Sequence, residues 1–210
     1  MSDEKNRLRP PTQILTRGFD PRLSVGSARP AVFRSSTYVF SSPEAAERAF
    51  DLATGRAQAA PGEHPDLIYS RFNHPNAEIL EAQVVPLEAG ARAALVFNSG
   101  MAAIMTALMT FLRPADSVVY TVPIYGGTQT LIDNFLAGWG IRGVAVQAGD
   151  GAAMDRAIAE TPDLAVVLIE TPANPTGVMT DMQRAARAAA GRRKRPLVAV
   201  DNTMLGPTFQ

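Results

Sequence analysis

Val198-Ala199-Val200-Asp201-Asn202-Thr203 is a short apolar run that ends abruptly in a carboxylate. Two marked turns precede it, Asn98-Ser99-Gly100-Met101-Ala102-Ala103 and Glu170-Thr171-Pro172-Ala173-Asn174-Pro175-Thr176-Gly177, and each also follows an apolar run. From Ala93 onward such runs alternate with stretches of helical character. Strands are expected over 94–97, 117–121, 143–146, 164–169 and 197–200, and helices over 100–112, 126–137, 151–159 and 181–190. Runs apolar on both faces and separated by helices predict an α/β fold: a mostly parallel sheet covered by helices, with right-handed crossovers. In such sheets ligands bind beyond the carboxyl ends of the strands, so the residues just after each strand are the ones to weigh.

Upstream the pattern is different. Residues 1–40 are rich in Arg, Pro and Ser and have no sustained period. They read as an extended arm, which orders only by docking on something. Ser42-Pro43-Glu44 opens a helix, with Ser at the cap, Pro in the first turn and an acid near the positive end; Gly55 stops it after Thr54. A Pro/Gly/Ala loop follows over 57–66, then a short extended stretch over 67–72 that carries Tyr69 and Arg71. Asn73-His74-Pro75-Asn76 is a turn, Asn76 is the expected cap of the next helix, and Pro86 ends or kinks that helix. The expected division is an arm and helix over 1–62 and a larger domain over 63–210.

Composition excludes several classes. Hydrophobic residues make up 46% of the 210, enough for a sizeable core. The formal net charge is zero, which offers nothing to nucleic acid or to an anionic membrane surface. There is no cysteine, so neither disulfides nor a thiolate metal site can form. His64 and His74 are the only imidazoles, each followed by proline in a loop-like context that suits metal binding poorly. The N-terminus lacks the apolar segment of a signal peptide. The most apolar region, 93–112, is interrupted by Asn98, Ser99 and Gly100, the pattern of a strand and a helix rather than a membrane span. The expectation is a soluble, cytoplasmic protein.

Two patterns attract attention and do not carry function. Gly138-Trp139-Gly140-Ile141-Arg142-Gly143 has dinucleotide-loop spacing, but it follows a helix and precedes a strand, the reverse of what such a loop needs. Arg192-Arg193-Lys194-Arg195 reads as a solvated helix C-terminus whose charge suits the helix dipole.

The turns on the ligand edge are more informative together than singly. Ser99 alone is an ordinary helix cap, but the first turn of that helix offers free N–H groups to an anion, and Gly100 allows close approach. Met101, Met105 and Met109 recur at helical spacing and belong to the core. Tyr125-Gly126-Gly127-Thr128 puts an aromatic at a helix start, where it either caps a turn or stacks on a flat ring. Asn174, aimed by Pro175, either terminates a strand or donates to a ring oxygen. Asp201 either caps a helix after the last strand or raises the pKa of a pyridine nitrogen, which makes the ring an electron sink. All four come after consecutive strand ends, in an order that suits one cofactor.

These stretches resemble the Cys/Met-metabolism family of pyridoxal-phosphate (PLP) enzymes, the group of cystathionine γ-synthase, the cystathionine lyases and methionine γ-lyase. The matching residues are Tyr69-Ser70-Arg71, Ser99-Gly100-Met101-Ala102-Ala103, Tyr125-Gly126-Gly127-Thr128, the Glu170 to Gly177 stretch and Val200-Asp201-Asn202-Thr203. The resemblance implies the PLP-dependent transferase fold type I, with an incomplete large domain, and dimers paired into tetramers. It implies that the backbone at Ser99, Gly100 and Met101 holds the phosphate of pyridoxal 5'-phosphate. Tyr69 and Arg71 would reach the phosphate of the neighbouring subunit, on which the N-terminal arm would pack. Tyr125 would stack on the ring, Asn174 would contact the ring hydroxyl, Asp201 would face the ring nitrogen, and Thr203 would belong to the same site. Tyr125 and Asp201 are the candidate catalytic residues.

The sequence also departs from the family. Asn73-His74-Pro75-Asn76 replaces the usual Gly-Asn-Pro-Thr, and Pro86 interrupts a helix that is normally continuous. The family's Schiff-base lysine would fall past Gln210, and neither Lys5 nor Lys194 lies on the ligand edge. The expectation is therefore the N-terminal half of a transsulfuration-type enzyme acting on Cys-, cystathionine- or homoserine-type amino acids, a fragment of a longer chain or a broken reading frame. It would lack the C-terminal domain, leave a sheet edge open, and be inactive alone. The alternatives are a truncated non-catalytic protein that binds PLP or a full-length homologue, and a fold type I aminotransferase.

Overall fold

The computed structural model describes residues 8–61, 63 and 66–207; Lys5 and His64 lie outside them. The chain divides into two units between Val96 and Phe97.

The first unit contains α1 (Pro10–Gln13), a 3-10 turn (Pro21–Ser24), α2 (Pro43–Ala53), α3 (Pro75–Val84) and a second 3-10 turn (Val85–Leu87). The α2 signals act as expected. The Ser42 side chain accepts from Ala45 N at 3.2 Å, Pro43 takes the first helical position, and Gly55 follows at φ +71°. Pro86 does end α3, and the chain continues only as the 3-10 turn.

Three local expectations need correction. The arm is not extended throughout, because α1 and a 3-10 turn capped by the Asp20 side chain interrupt it. The cap of α3 is His74, whose Nδ1 accepts from Asn76 N at 3.3 Å. With Pro75 at the first helical position, Asn76 falls two residues too late to cap. Its amide instead binds the arm: Oδ1 accepts from Phe33 N at 2.9 Å, and Nδ2 donates to Ala31 O at 2.7 Å. The 67–72 stretch is extended only as far as Tyr69, which bridges Thr37 in antiparallel fashion. Beyond it the chain turns, with Phe72 N and Asn73 N both donating to Tyr69 O.

The second unit contains α4 (Gly100–Phe111), β1 (Ser117–Val122), α5 (Gly126–Thr130) continuing as a π-helical segment (Leu131–Leu136), β2 (Arg142–Gln147), α6 (Gly151–Glu160), β3 (Leu164–Glu170), α7 (Met182–Ala190) and β4 (Leu197–Asp201). The strands pair in parallel in the order β2-β1-β3-β4. Alternation along the strands feeds two cores. Val118, Tyr120, Val166 and Leu168 pack with Leu108 of α4 and Leu131, Ile132 and Leu136 of the π-helical segment. Val119, Val167 and Ile169 pack with Met154 and Ile158 of α6 and Ala185 of α7. Near its start β3 carries a bulge: Ser117 pairs with Leu164 and Val118 with Val166, leaving Ala165 over. Leu164 consequently joins the α6/α7 core while Val166 and Leu168 face the other way.

The expected strand over 94–97 is not in the sheet. Composition suits it, but a strand exists only through a ladder partner, and among the described residues 94–97 has none. Leu95 is 76% exposed. The outer strand β4 is likewise only partly covered, with Leu197 and Val200 exposed. The basic run is not simply solvated either. Arg193, Lys194 and Arg195 are exposed, but Arg192 is half-buried and reaches a neighbouring helix. Gly138 to Gly143 leads from a helix end into β2, a connection as expected. Among the described residues no helix is long and apolar enough to cross a membrane.

Candidate functional site

The central strands β1 and β3 are neighbours whose onward connections diverge, β1 leading to β2 on one side and β3 to β4 on the other. A crevice opens at such a reversal, beyond the carboxyl ends of the strands. Here it is a cleft of about 340 Å³ within the second unit. It gathers Ser99, Gly100, Met101, Tyr125, Asn174, Asp201 and Thr203, together with Ile104, Glu170 and Met204.

The start of α4 forms one wall. Ser99 has extended backbone (φ −157°), its Oγ accepts from Ala102 N at 3.2 Å, and its carbonyl accepts from Ala103 N. The capping role is therefore real, and it leaves the N–H groups of Gly100 and Met101 without an acceptor among the described residues. A Cβ at Gly100 would meet nothing within 4 Å, so the backbone there is open to approach.

Tyr125 follows β1 and is 48% exposed. The ring lies against Gly127, where an added Cβ would come within 2.6 Å of Tyr125 Cε1 and 3.1 Å of Met101 Sδ. Glu170 ends β3 and is 3% exposed. Its Oε2 accepts from Tyr125 N and its Oε1 from Asn174 N, each at 2.7 Å. Its own N–H donates to Thr121 Oγ1 at 3.0 Å. The loop that presents Asn174 is irregular, with cis peptides before Pro172 and Pro175. It is closed by Ala173 N donating to Val178 O and by Gly177 N donating to Ala173 O.

Asp201 ends β4 in register with Glu170. Its Oδ1 accepts from both Thr203 N (3.0 Å) and Thr203 Oγ1 (2.5 Å). Oδ2 accepts no hydrogen bond among the described residues. Asp201 thus closes a turn and keeps one carboxylate oxygen free. Tyr69 and Arg71 belong to the first unit and are not among the lining residues. The Arg71 guanidinium lies 5.4 Å from the Tyr69 ring centroid and 5.0 Å from that of Phe72. Lys194 is exposed in the turn before β4 and does not line the cleft.

Sequence reasoning assigned no role to Glu170, Ile104 or Met204. For Glu170 a signal was present, because an ionisable side chain closing an apolar strand must find partners.

The model of the Cys/Met metabolism PLP-dependent enzymes matches residues 11–210. This chain belongs to that family. The L-methionine gamma-lyase of Pseudomonas putida is 33% identical to this Cys/Met family member over 199 residues, 95% of this chain and 46% of the relative. A crystal structure of the cystathionine gamma lyase CalE6 from Micromonospora echinospora superposes with a TM-score of 0.75 at 34% identity, covering 95% of this chain and 46% of that one. A Campylobacter jejuni protein described as an O-acetylhomoserine (thiol)-lyase, solved with N'-pyridoxyl-lysine-5'-monophosphate, gives a TM-score of 0.80 at 25% identity, covering 96% and 46%. The Cys/Met family chain described here thus has the α/β architecture of PLP fold type I and spans about half the length of the relatives it matches.

Proposed function

We propose that the chain holds pyridoxal phosphate in the cleft beyond β1, β3 and β4 and forms the cofactor half of a transsulfuration-type enzyme. One observation carries this reading: a helix start with free N–H groups, an exposed aromatic ring, a side-chain amide and a carboxylate oxygen line one cleft in one unit. That donor set suits a phosphorylated, flat, hydroxylated pyridine, with the anion at one end and the basic nitrogen at the other.

When bound, the cofactor supplies an electron sink for carbanion chemistry. The residues of the chain bind and orient it. The N–H groups of Gly100 and Met101, at the positive end of α4, receive the phosphate. Tyr125 offers its ring face, and Asn174 offers its amide to the ring hydroxyl. Asp201, oriented by Thr203, holds a proton on the pyridine nitrogen through electrostatic attraction. Tyr69 and Arg71 serve the phosphate of a neighbouring subunit in a homo-oligomer, the guanidinium pairing bidentately. The substrates are small Cys-, cystathionine- or homoserine-type amino acids, undergoing elimination or replacement at Cβ or Cγ. The chemistry of the methionine and cystathionine gamma-lyases it resembles supports that class.

The test is a titration of the natural protein with pyridoxal phosphate, then borohydride reduction and intact mass. Saturable binding with a new visible absorption band is expected, and a lysine-linked adduct if the natural chain extends past the region described here. A protein that shows no saturable binding overturns the reading.

A further inference from the structure

We propose that Glu170 is a positioning residue that sets the gap between Tyr125 and Asn174. The inference rests on the cofactor reading above and adds a residue to it.

Tyr125 and Asn174 stand on different loops, one after β1 and one after β3. Neither backbone N–H belongs to a helix or ladder, and each needs an acceptor. A single carboxylate serves both: Oε2 takes Tyr125 N and Oε1 takes Asn174 N, each at 2.7 Å. Both bonds are charge-assisted and short. Glu170 is itself buried and so must be paired, and these two donors pair it. Its backbone is pinned in turn by the fully buried Thr121 hydroxyl. The two oxygens of one rigid carboxylate are a fixed distance apart, so the two loops cannot shift independently. The residue proposed to stack on the ring and the residue proposed to contact its hydroxyl therefore keep one spacing, before any ligand arrives. Pre-set spacing lowers the cost of binding.

The test compares the natural protein with Glu170→Gln, which keeps the shape but points an NH2 group at a backbone N–H. Apoprotein is titrated with pyridoxal phosphate while the dissociation constant and the induced circular dichroism of the cofactor are monitored. Amide exchange at Tyr125 and Asn174 is measured without cofactor. Ile158→Val, in the α6/α7 core, controls for general destabilisation. The expected result for Glu170→Gln is about tenfold weaker binding, a reduced induced signal and faster exchange at both amides. Ile158→Val should lower the melting temperature and change none of these. Thr121→Val, which removes the anchor and keeps the carboxylate, should weaken binding about threefold and serves if Glu170→Gln does not fold.

Wild-type affinity and induced signal in Glu170→Gln overturn the inference, as does unchanged binding in Thr121→Val. If the wild-type protein binds and Glu170→Gln binds equally, this inference alone fails. If the wild-type protein gives no saturable signal, the cofactor reading fails and this inference with it.

Discussion

The guanidinium of Arg192 donates to the carbonyl of Ala159 at 2.7 Å, and so closes a helix to which Arg192 does not belong. The same group reaches the carbonyls of Ile158 and Thr161. Carbonyls at a helix C-terminus lack intrahelical donors and carry partial negative charge. Arg192→Ala should therefore destabilise the protein by about 1–2 kcal/mol, with Arg193→Ala within about 0.5 kcal/mol of wild type. Urea unfolding midpoints of the two variants check this.

Gly127→Ala should separate stability from binding. Alanine in a helix is favoured over glycine by about 1 kcal/mol, and no positive φ forbids it here. The new methyl group collides with the Tyr125 ring, which must swing away. The variant should match or exceed wild type in thermal stability while losing about tenfold in pyridoxal-phosphate affinity, as read by titration beside a melting curve.

Asp201→Asn should act in the opposite register, on electrostatics without geometry. The amide oxygen of asparagine can still accept from Thr203 N, so stability should stay within about 0.5 kcal/mol of wild type. The charge proposed to hold a proton on the ring nitrogen is lost. A blue-shifted cofactor absorption band and weaker retention on dialysis are expected.

Tyr120 gives the molecule an alkaline limit. Burial, then the hydrogen bond to Asp133 Oδ1 (2.6 Å) and its negative charge, push its phenol from 10 to about 12. The unfolded chain releases this proton first. The contribution is complete below pH 10 and is lost as pH rises through about 12. Tyr120→Phe should flatten that limb of the stability–pH curve and cost about 1 kcal/mol at neutral pH, where the hydrogen bond to Asp133 is lost.

In the proposed homo-oligomer, Arg71→Ala should lower cofactor affinity with the fold intact, because among the described residues its guanidinium packs on the exposed rings of Tyr69 and Phe72. Titration at oligomer-forming concentrations, with circular dichroism as the fold control, checks it.

Much of the second unit was legible in local pattern. The runs around Val119, Val144, Val167 and Ala199 became four parallel strands because continuous apolar stretches between helices have few other outcomes. Tyr125, Asn174 and Asp201 came together because strand ends share an edge, and Ser99 joins them as the cap of α4 although no strand precedes it. The failures were non-local or depended on where a helix begins. The 94–97 run looked like a strand, but pairing is decided elsewhere in the chain. His74 displaced Asn76 as a cap because Pro75 set where the helix begins. The reach of Arg192 and of Glu170 depends on which element lies across the gap, and spacing along the chain does not encode that.

The bulge in β3 bears on which changes of length this unit tolerates. Leu164 faces the α6/α7 side, and the Glu170 carboxylate comes out on the other side, at Tyr125. Removing Ala165 straightens the strand and leaves both facings as they are, since Val166 already sits opposite Val118. Removing Val167 or Leu168 instead turns Glu170 toward α6 and α7, and the cleft loses the Glu170 carboxylate. Deletions are thus absorbed at the start of this strand and are ruinous near its end, so related chains that differ in length here should differ before Val166 and agree after it.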